Sequence, residues 1–356
     1  MKNLTPSELK LFLLNIAPVR PVYIWGAPGI GKTAIVTAFA SEVGMESVSM
    51  LGSQLAPEDL IGVPRIVDGH SVFAPPRTLA GRHEPFVLFI DEFNASSPEV
   101  QKSFYSLILE QRLGEYQLPA GSVVILAGNR AADNAIVRSV SSALMNRVVH
   151  VELRANHRDW IEWAHASSIH STVIRYLQTR PDHLFVNPPK TEEPFSTPRS
   201  WHMLSDGMTA YGEELDEQII SVLASGTISP SHALSFTAFA KQLTLGLEID
   251  DIISGRVALP LAPDQRDLLF FVVQGVRAQL TKALPDQRNE LSSDVKELVH
   301  NARRLIAELA RADEELVLVL LAREEGDDAR NYPNWFLVEV VKTLPRLKRL
   351  INAETI

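Results

Sequence analysis

The chain has 356 residues, with 34 Lys and Arg against 43 Asp and Glu for a net charge of −9, and no cysteine. That length suffices for two or three domains with a large buried core, and the 46% hydrophobic, 22% charged composition is that of a folded globular protein. The absence of cysteine excludes disulfides, thiolate metal sites, Cys nucleophiles and iron–sulfur clusters, and the acidic balance argues against general nucleic-acid or anionic-membrane binding. The longest apolar stretch, Leu316 to Ala322, falls far short of the roughly 18 residues a membrane span needs. The N-terminal MKNLTPSELKLF lacks a long apolar core followed by a small-residue cleavage site and reads as a mature, cytoplasmic start.

Thr5-Pro6-Ser7-Glu8 reads as a helix start, with Thr at the N-cap, Pro in the first turn and Glu three residues on. Leu9, Phe12, Leu13 and Ile16 then repeat at helical spacing until Pro18. Val22 to Trp25 predicts a strand, Lys32 to Val43 a helix, and Glu46 to Met50 a second strand. Ile66 to Phe73 reads as a hairpin around an Asp68-Gly69 turn. Phe86 to Ile90 is a continuous apolar strand, followed by a helix from Pro98 to Gln111. Val123 to Ala127 and Val148 to Leu153 supply two more strands, with a short helix at Ser141 to Leu144 before the last. Apolar strands without alternation, separated by helices, predict an α/β fold whose parallel sheet is covered on both faces. Beyond about residue 155 the strand signal fades. Residues 181–198 are Pro-rich and read as a linker or extended connection. The remainder to Ile356 reads as helical, with Leu298, Leu305, Leu309, Leu316 and Leu320 in one long helix-forming segment.

Gly26-Ala27-Pro28-Gly29-Ile30-Gly31-Lys32-Thr33 matches the phosphate loop G-x-x-x-x-G-K-[ST] in full, directly after a strand and directly before a helix. Glycines let successive backbone N–H groups surround a phosphate, and the helix N-terminus adds its partial positive charge. Lys32 is expected to reach the β and γ phosphates of ATP and Thr33 to ligate Mg²⁺. About 55 residues later, Asp91-Glu92 end an apolar strand. Asp91 is the second expected Mg²⁺ residue, and Glu92 the group that polarises a water for in-line attack. The next strand delivers Gly128-Asn129-Arg130 to the same sheet edge, where Asn129 could hold that water or sense the γ-phosphate. His157, His165 and His170 lack the spacing of a helical metal pair and no carboxylate completes a set, so they read as helix surface and core.

These motifs, with Asn129 as a first sensor and Ala143-Leu144-Met145-Asn146-Arg147, resemble an AAA+ ATPase, and most closely its MoxR-type branch. Gln54 to Gly62 resembles the stretch leading into that branch's extra hairpin, Phe73-Ala74-Pro75-Pro76 follows at the expected place, and Asp91-Glu92-Phe93-Asn94 keeps the trailing Asn of Asp-Glu-x-Asn. The likeness covers about residues 20–205. It implies an AAA+ αβα core over 1–196 with a hairpin insert near 63–75, a helical lid over 197–258, and a helical extension over 259–356. It also implies that Arg147 matches the arginine finger, which enters a neighbouring subunit's site, with Arg138 as a rival, and that Arg199 matches the second sensor at the start of the lid. The activity implied is ATP hydrolysis, with Mg²⁺, in a homo-oligomeric ring, a hexamer, that remodels, matures or activates a protein partner, frequently one bearing a von Willebrand factor A domain. The alternatives are a nucleotide-state switch or scaffold with little turnover, and a nucleic-acid motor or loader, which the net charge of −9 disfavours.

Overall fold

A computed structural model describes residues 2–74, 76–114, 116–130, 140–244, 246, 248–262, 265–288, 291–323 and 331–343, with the side chains of Asp267 and Thr343 excepted. Arg138 and Pro75 therefore lie outside the described residues. The chain divides into two compact units, one of residues 1–213 with 226–230 and the other of residues 214–225 with 231–356.

The first unit is built on a parallel six-stranded sheet. Its strands are β1 (Asn3–Leu4), β2 (Val22–Trp25), β3 (Glu46–Leu51), β6 (Phe86–Asp91), β9 (Val123–Gly128) and β10 (Val149–Leu153), in the spatial order β1-β10-β2-β9-β6-β3. Two hairpins stand apart from it, β4 (Val63–Val67) with β5 (His70–Ala74) and β7 (Arg112–Leu113) with β8 (Tyr116–Gln117). The expected Asp-Gly turn is present. Asp68 and Gly69 have φ of 51° and 78°, as the mirror-image turn of a two-residue hairpin requires.

Helix α1 (Pro6–Ile16) starts with the predicted capping box, in which the Thr5 hydroxyl accepts from the Glu8 N–H and the Glu8 carboxylate accepts from the Thr5 N–H. Helix α2 (Lys32–Glu42) joins α1 on one face of the sheet, burying Leu9, Leu13, Val36 and Phe39 against Val22, Ile24, Val87, Phe89 and Ile125. The short helices α3 (Glu58–Ile61) and α4 (Arg77–Ala80), together with α5 (Pro98–Glu110) and α6 (Ser142–Met145), cover the other face. There Leu60, Leu79, Phe104 and Leu144 meet Tyr23, Leu88, Ile90 and Leu126. Neighbouring residues of one strand thus serve opposite faces, which is why each strand reads as an unbroken apolar run. At about 1.5–3 kcal/mol for each fully buried large apolar side chain, these two layers are the main source of the unit's stability. Helices α7 (His157–Ala166), α8 (Ser171–Thr179) and α9 (Pro198–Tyr211) complete the unit. The Pro-rich stretch between α8 and α9 is firmly tied. Val186 donates its N–H to Ser196 O at 2.9 Å, and Ser196 is fully buried.

The second unit is helical, as its sequence predicts. It comprises most of α10 (Glu217–Thr227) and α11 (Pro230–Thr244), followed by α12 (Ile249–Ser254), α13 (Arg266–Ala283), α14 (Ser293–Ala312), α15 (Glu314–Leu321) and α16 (Asn334–Thr343). Its core joins Ile252, Leu268, Val272, Leu280, Leu305, Leu309, Leu316, Leu320 and Phe336. The long leucine segment holds two helices. Asp313, in extended conformation, ends α14, and its carboxylate accepts from Glu315 N and Leu316 N to cap α15. Leu316, Val317 and Leu320 are core residues. No helix among the described residues is long and apolar enough to cross a membrane.

Candidate active site

Register decides what meets at the carboxyl edge of the sheet. Trp25 of β2 pairs with Gly128 of β9, and Leu126 of β9 pairs with Ile90 of β6. The loops after these three strands therefore leave the sheet side by side. Residues 26–33 follow β2, Asp91 and Glu92 end β6, and Asn129 follows β9.

The phosphate loop closes into α2 at Gly31, whose φ is +98° with nothing within 4 Å of an added Cβ. Glycine is needed there for backbone conformation and not for space. The helix then points its free N–H groups and partial positive charge into the loop. Lys32 is only 7% exposed, and a buried ammonium must be matched by acceptors. Its Nζ donates to Gly26 O at 2.6 Å, Ala27 O at 3.0 Å and Asn129 Oδ1 at 2.8 Å. The Thr33 hydroxyl donates to Asp91 Oδ2 at 2.8 Å, placing two hard oxygen donors together at the strand tip. Such donors suit Mg²⁺, which takes one or two protein oxygens and completes its octahedron with phosphate and water.

Glu92 has φ of 50° and ψ of 35°, a left-handed conformation that a non-glycine residue adopts at a cost of about 1–2 kcal/mol. Its carboxylate accepts a hydrogen bond from the Ser53 hydroxyl at 2.6 Å. Ser53 is a contact that sequence reading does not single out. The pairing of Leu51 with Asp91 brings the chain after β3 beside Glu92, and only strand order reveals this. Asn94, 3% exposed, donates its Nδ2 to Asn129 O at 2.7 Å and so braces the turn that presents Asn129 to Lys32.

Gly128 makes room for this brace. A Cβ on it would lie 2.4 Å from the Tyr23 hydroxyl and 2.5 Å from Asn94 Oδ1. Tyr23 is 1% exposed, its hydroxyl has no hydrogen-bond partner among the described residues, and burial pushes that hydroxyl far above the usual phenol range. Gly128→Ala is expected to destabilise the protein by about 1–3 kcal/mol through overpacking and to lower ATP turnover by displacing Asn94. Adding Tyr23→Phe removes one of the two clashes and should restore part of the stability. Thermal unfolding and phosphate release check both expectations.

A cleft of about 420 Å³ opens beside the loop, lined in part by Gly26, Ile30, Glu152, Asp182, Phe185 and Asn187. That volume lies within the range of small-molecule sites. Arg130 bridges to Glu152 at 2.6 Å within it. Burial alone would raise the Asp182 carboxyl, but the hydrogen bond and charge of Arg180 outweigh it and hold the group below the usual carboxylate range. The stretch that composition marks as a connection is thus a wall of the cleft.

The remaining candidates divide. Arg199 has an exposed side chain, but its backbone N–H donates to Gly29 O at 3.0 Å, and a Cβ on Gly29 would meet Thr197 Oγ1 at 2.6 Å. The start of α9 therefore rests on the phosphate loop. Arg147 lies elsewhere, exposed at the amino end of β10, with its guanidinium donating to Ala143 O at 2.8 Å. It sits in the turn two residues before β10, and the five residues of that strand, Val149–Leu153, run roughly 15 Å at about 3.3 Å per residue to Leu153 at the loop edge. Among the described residues no group of three or more His, Asp or Glu side chains is placed to hold a metal; His157 bonds Leu177 O and His170 caps α8.

Residues 22–154 match the model of the ATPase family associated with various cellular activities (AAA). The chain is 30% identical over 131 residues to the 26S proteasome regulatory subunit 4 homolog of Schizosaccharomyces pombe, covering 34% of this chain and 28% of that protein. It is 27% identical over 151 residues to the proteasome-activating nucleotidase of Thermococcus onnurineus, covering 39% and 36%. It thus spans about a third of the length of these relatives. Among solved structures, NtrX from Brucella abortus in complex with ADP aligns with a TM-score of 0.42 at 15% identity, covering 95% of this chain and 68% of that one. The Thermotoga maritima RuvB Holliday junction branch migration motor aligns at 0.39 and 18% identity, covering 69% and 83%. With its phosphate loop, strand-borne carboxylates and family match, the stretch from Val22 to Arg154 is an AAA-family ATPase domain.

Proposed function

We propose that the protein is a MoxR-type AAA+ ATPase that hydrolyses ATP in a homo-oligomeric, hexameric ring and uses the work to remodel, mature or activate a protein partner bearing a von Willebrand factor A domain. The observation that carries the hydrolytic reading is the convergence of Lys32, Asn129, Thr33, Asp91 and Glu92 at one sheet edge, joined by hydrogen bonds of 2.8 Å between Lys32 and Asn129 and between Thr33 and Asp91. The proteasome-activating nucleotidase among the relatives supports work on proteins, and the exposed hairpin β4–β5 and the Asp-Glu-x-Asn pattern support the MoxR branch.

In this reading residues 26–33 and the α2 N-terminus bind the phosphates, and Lys32 supplies a fixed cation to the β and γ phosphates. Thr33 and Asp91 hold Mg²⁺, which supplies charge neutralisation on the phosphates. Glu92, oriented by Ser53, takes the proton of the attacking water, and Asn129 positions that water. Arg199 belongs to the lid assigned to 197–258, with the extension at 259–356. Arg147 acts on the neighbouring subunit's nucleotide, because its own loop lies at the opposite edge of the sheet.

Lys32→Ala is expected to abolish ATP binding, since one buried cation and its phosphate contacts disappear. Calorimetry on the folded mutant checks it, and wild-type affinity overturns the reading. An ATP-dependent change in a captured partner's structure distinguishes a remodeller from a nucleotide-state switch, and salt-sensitive DNA binding would instead indicate a nucleic-acid motor.

A further inference from the structure

His150 lies on β10 opposite Tyr23 of β2 and is used by neither the phosphate loop nor the carboxylates. Both of its ring nitrogens are engaged. Trp25 Nε1 lies 3.0 Å from His150 Nδ1, and His150 Nε2 lies 2.7 Å from Met145 O. An indole N–H only donates and a carbonyl only accepts, so Nδ1 is the acceptor and the ring's one proton sits on Nε2. The imidazole thus bridges the Trp25 side chain and the Met145 backbone carbonyl. Trp25 is the residue directly before Gly26 of the phosphate loop, and Met145 ends α6, two residues before Arg147. Stacking holds the bridge in place. The Trp25 and His150 rings lie 6.2 Å apart at 28°, and the Tyr23 and Trp25 rings 4.2 Å apart at 26°.

The four-residue α6 has too few internal hydrogen bonds to set the direction of its own exit. Leu144 O accepts from the Arg147 N–H at 3.0 Å and Ala143 O from the Arg147 guanidinium at 2.8 Å, so these two carbonyls tie the arginine only to its own turn. The Met145 carbonyl is different, because through His150 it ties that turn to β2.

We propose that His150 is a positioning residue for Arg147, linking the strand that carries one subunit's phosphate loop to the arginine that subunit offers its neighbour. This rests on the reading of Arg147 as an arginine acting in trans. His150→Ala is expected to lower kcat by about 10- to 100-fold, the scale of a displaced catalytic group, with KM and ATP affinity unchanged. His150→Gln, which offers one acceptor and one donor at similar separation, should recover most of the rate. Trp25→Phe, which keeps an aromatic ring beside Tyr23 and His150 and removes the indole donor, should show a smaller loss of the same kind.

The test measures ATP binding and steady-state turnover for these three variants, for Arg147→Ala, and for the double variant His150→Ala/Arg147→Ala. The proposal expects the double variant to be no slower than Arg147→Ala alone, and expects His150→Ala subunits mixed with Glu92→Gln subunits to regain activity. Additive losses in the double variant, weakened ATP binding, or unchanged kcat in His150→Ala would overturn it. If His150→Ala does not fold, wild-type kcat in Trp25→Phe overturns it equally. Wild-type turnover in Arg147→Ala would overturn the trans reading itself, and the His150 proposal with it, whereas a dead Arg147→Ala beside fully active His150 variants would overturn only the latter.

Discussion

A Glu92→Gln protein is expected to bind ATP as the wild type does and to hydrolyse it about 10²- to 10⁴-fold more slowly, the usual contribution of a positioned general base. Gln keeps the length and shape of Glu and still accepts from the Ser53 hydroxyl, which lies 2.6 Å from the carboxylate. It has the same access to the left-handed backbone at φ 50°. What it loses is the ability to take a proton. Thr33 and Asp91 are untouched, so Mg²⁺-dependent binding should persist and the nucleotide-bound protein should accumulate. Equilibrium binding together with phosphate release measures both halves of the expectation. Hydrolysis at the wild-type rate would remove Glu92 from the role of base.

Arg147→Ala is expected to reduce turnover on the order of 10³-fold or more, where an arginine stabilises the charge of the transferring phosphoryl group, while ATP binding falls much less. The exposed guanidinium donates to Ala143 O of its own turn, at the sheet edge remote from its own phosphate loop. If it serves the next subunit, two inactive proteins should complement each other. In a mixed ring, an Arg147→Ala subunit retains a working Glu92, and a Glu92→Gln neighbour lends its intact Arg147. Activity should therefore reappear on mixing under conditions of subunit exchange. Mixed rings verified by mass and as inactive as either parent would mean that the arginine acts in cis, that it is only structural, or that the ring needs concerted firing. Running Arg138→Ala in parallel assigns the role between the two arginines.

Features written in local chemistry are legible in the amino-acid sequence itself. The Thr5–Glu8 capping box, the Asp68-Gly69 turn and the phosphate loop each depend on a few consecutive residues whose backbone preferences or donors suffice to specify them. The parallel sheet is legible for a related reason, since strands buried on both faces leave unbroken apolar runs such as Phe86 to Ile90. The leucine segment after residue 298 reads as helix-forming throughout, because helical spacing continues across Asp313. A single capping aspartate, whose carboxylate serves the next helix's N–H groups, breaks it into two.

Contacts between residues far apart in the chain are not legible in this way. Ser53 meets Glu92 because β3 lies beside β6, and Asn129 reaches Lys32 because β9 lies between β2 and β6. His150 bridges Trp25 and Met145 because β10 runs on the other side of β2. The Pro-rich stretch at 181–198 is held as a cleft wall in part because buried Ser196 exchanges hydrogen bonds with Ser229, 33 residues on. A run of residues can specify its own turn, cap or phosphate loop, because those hydrogen bonds close within a few positions. Which runs become neighbours follows from how the two faces of the sheet are covered, and that is settled only when the whole core packs.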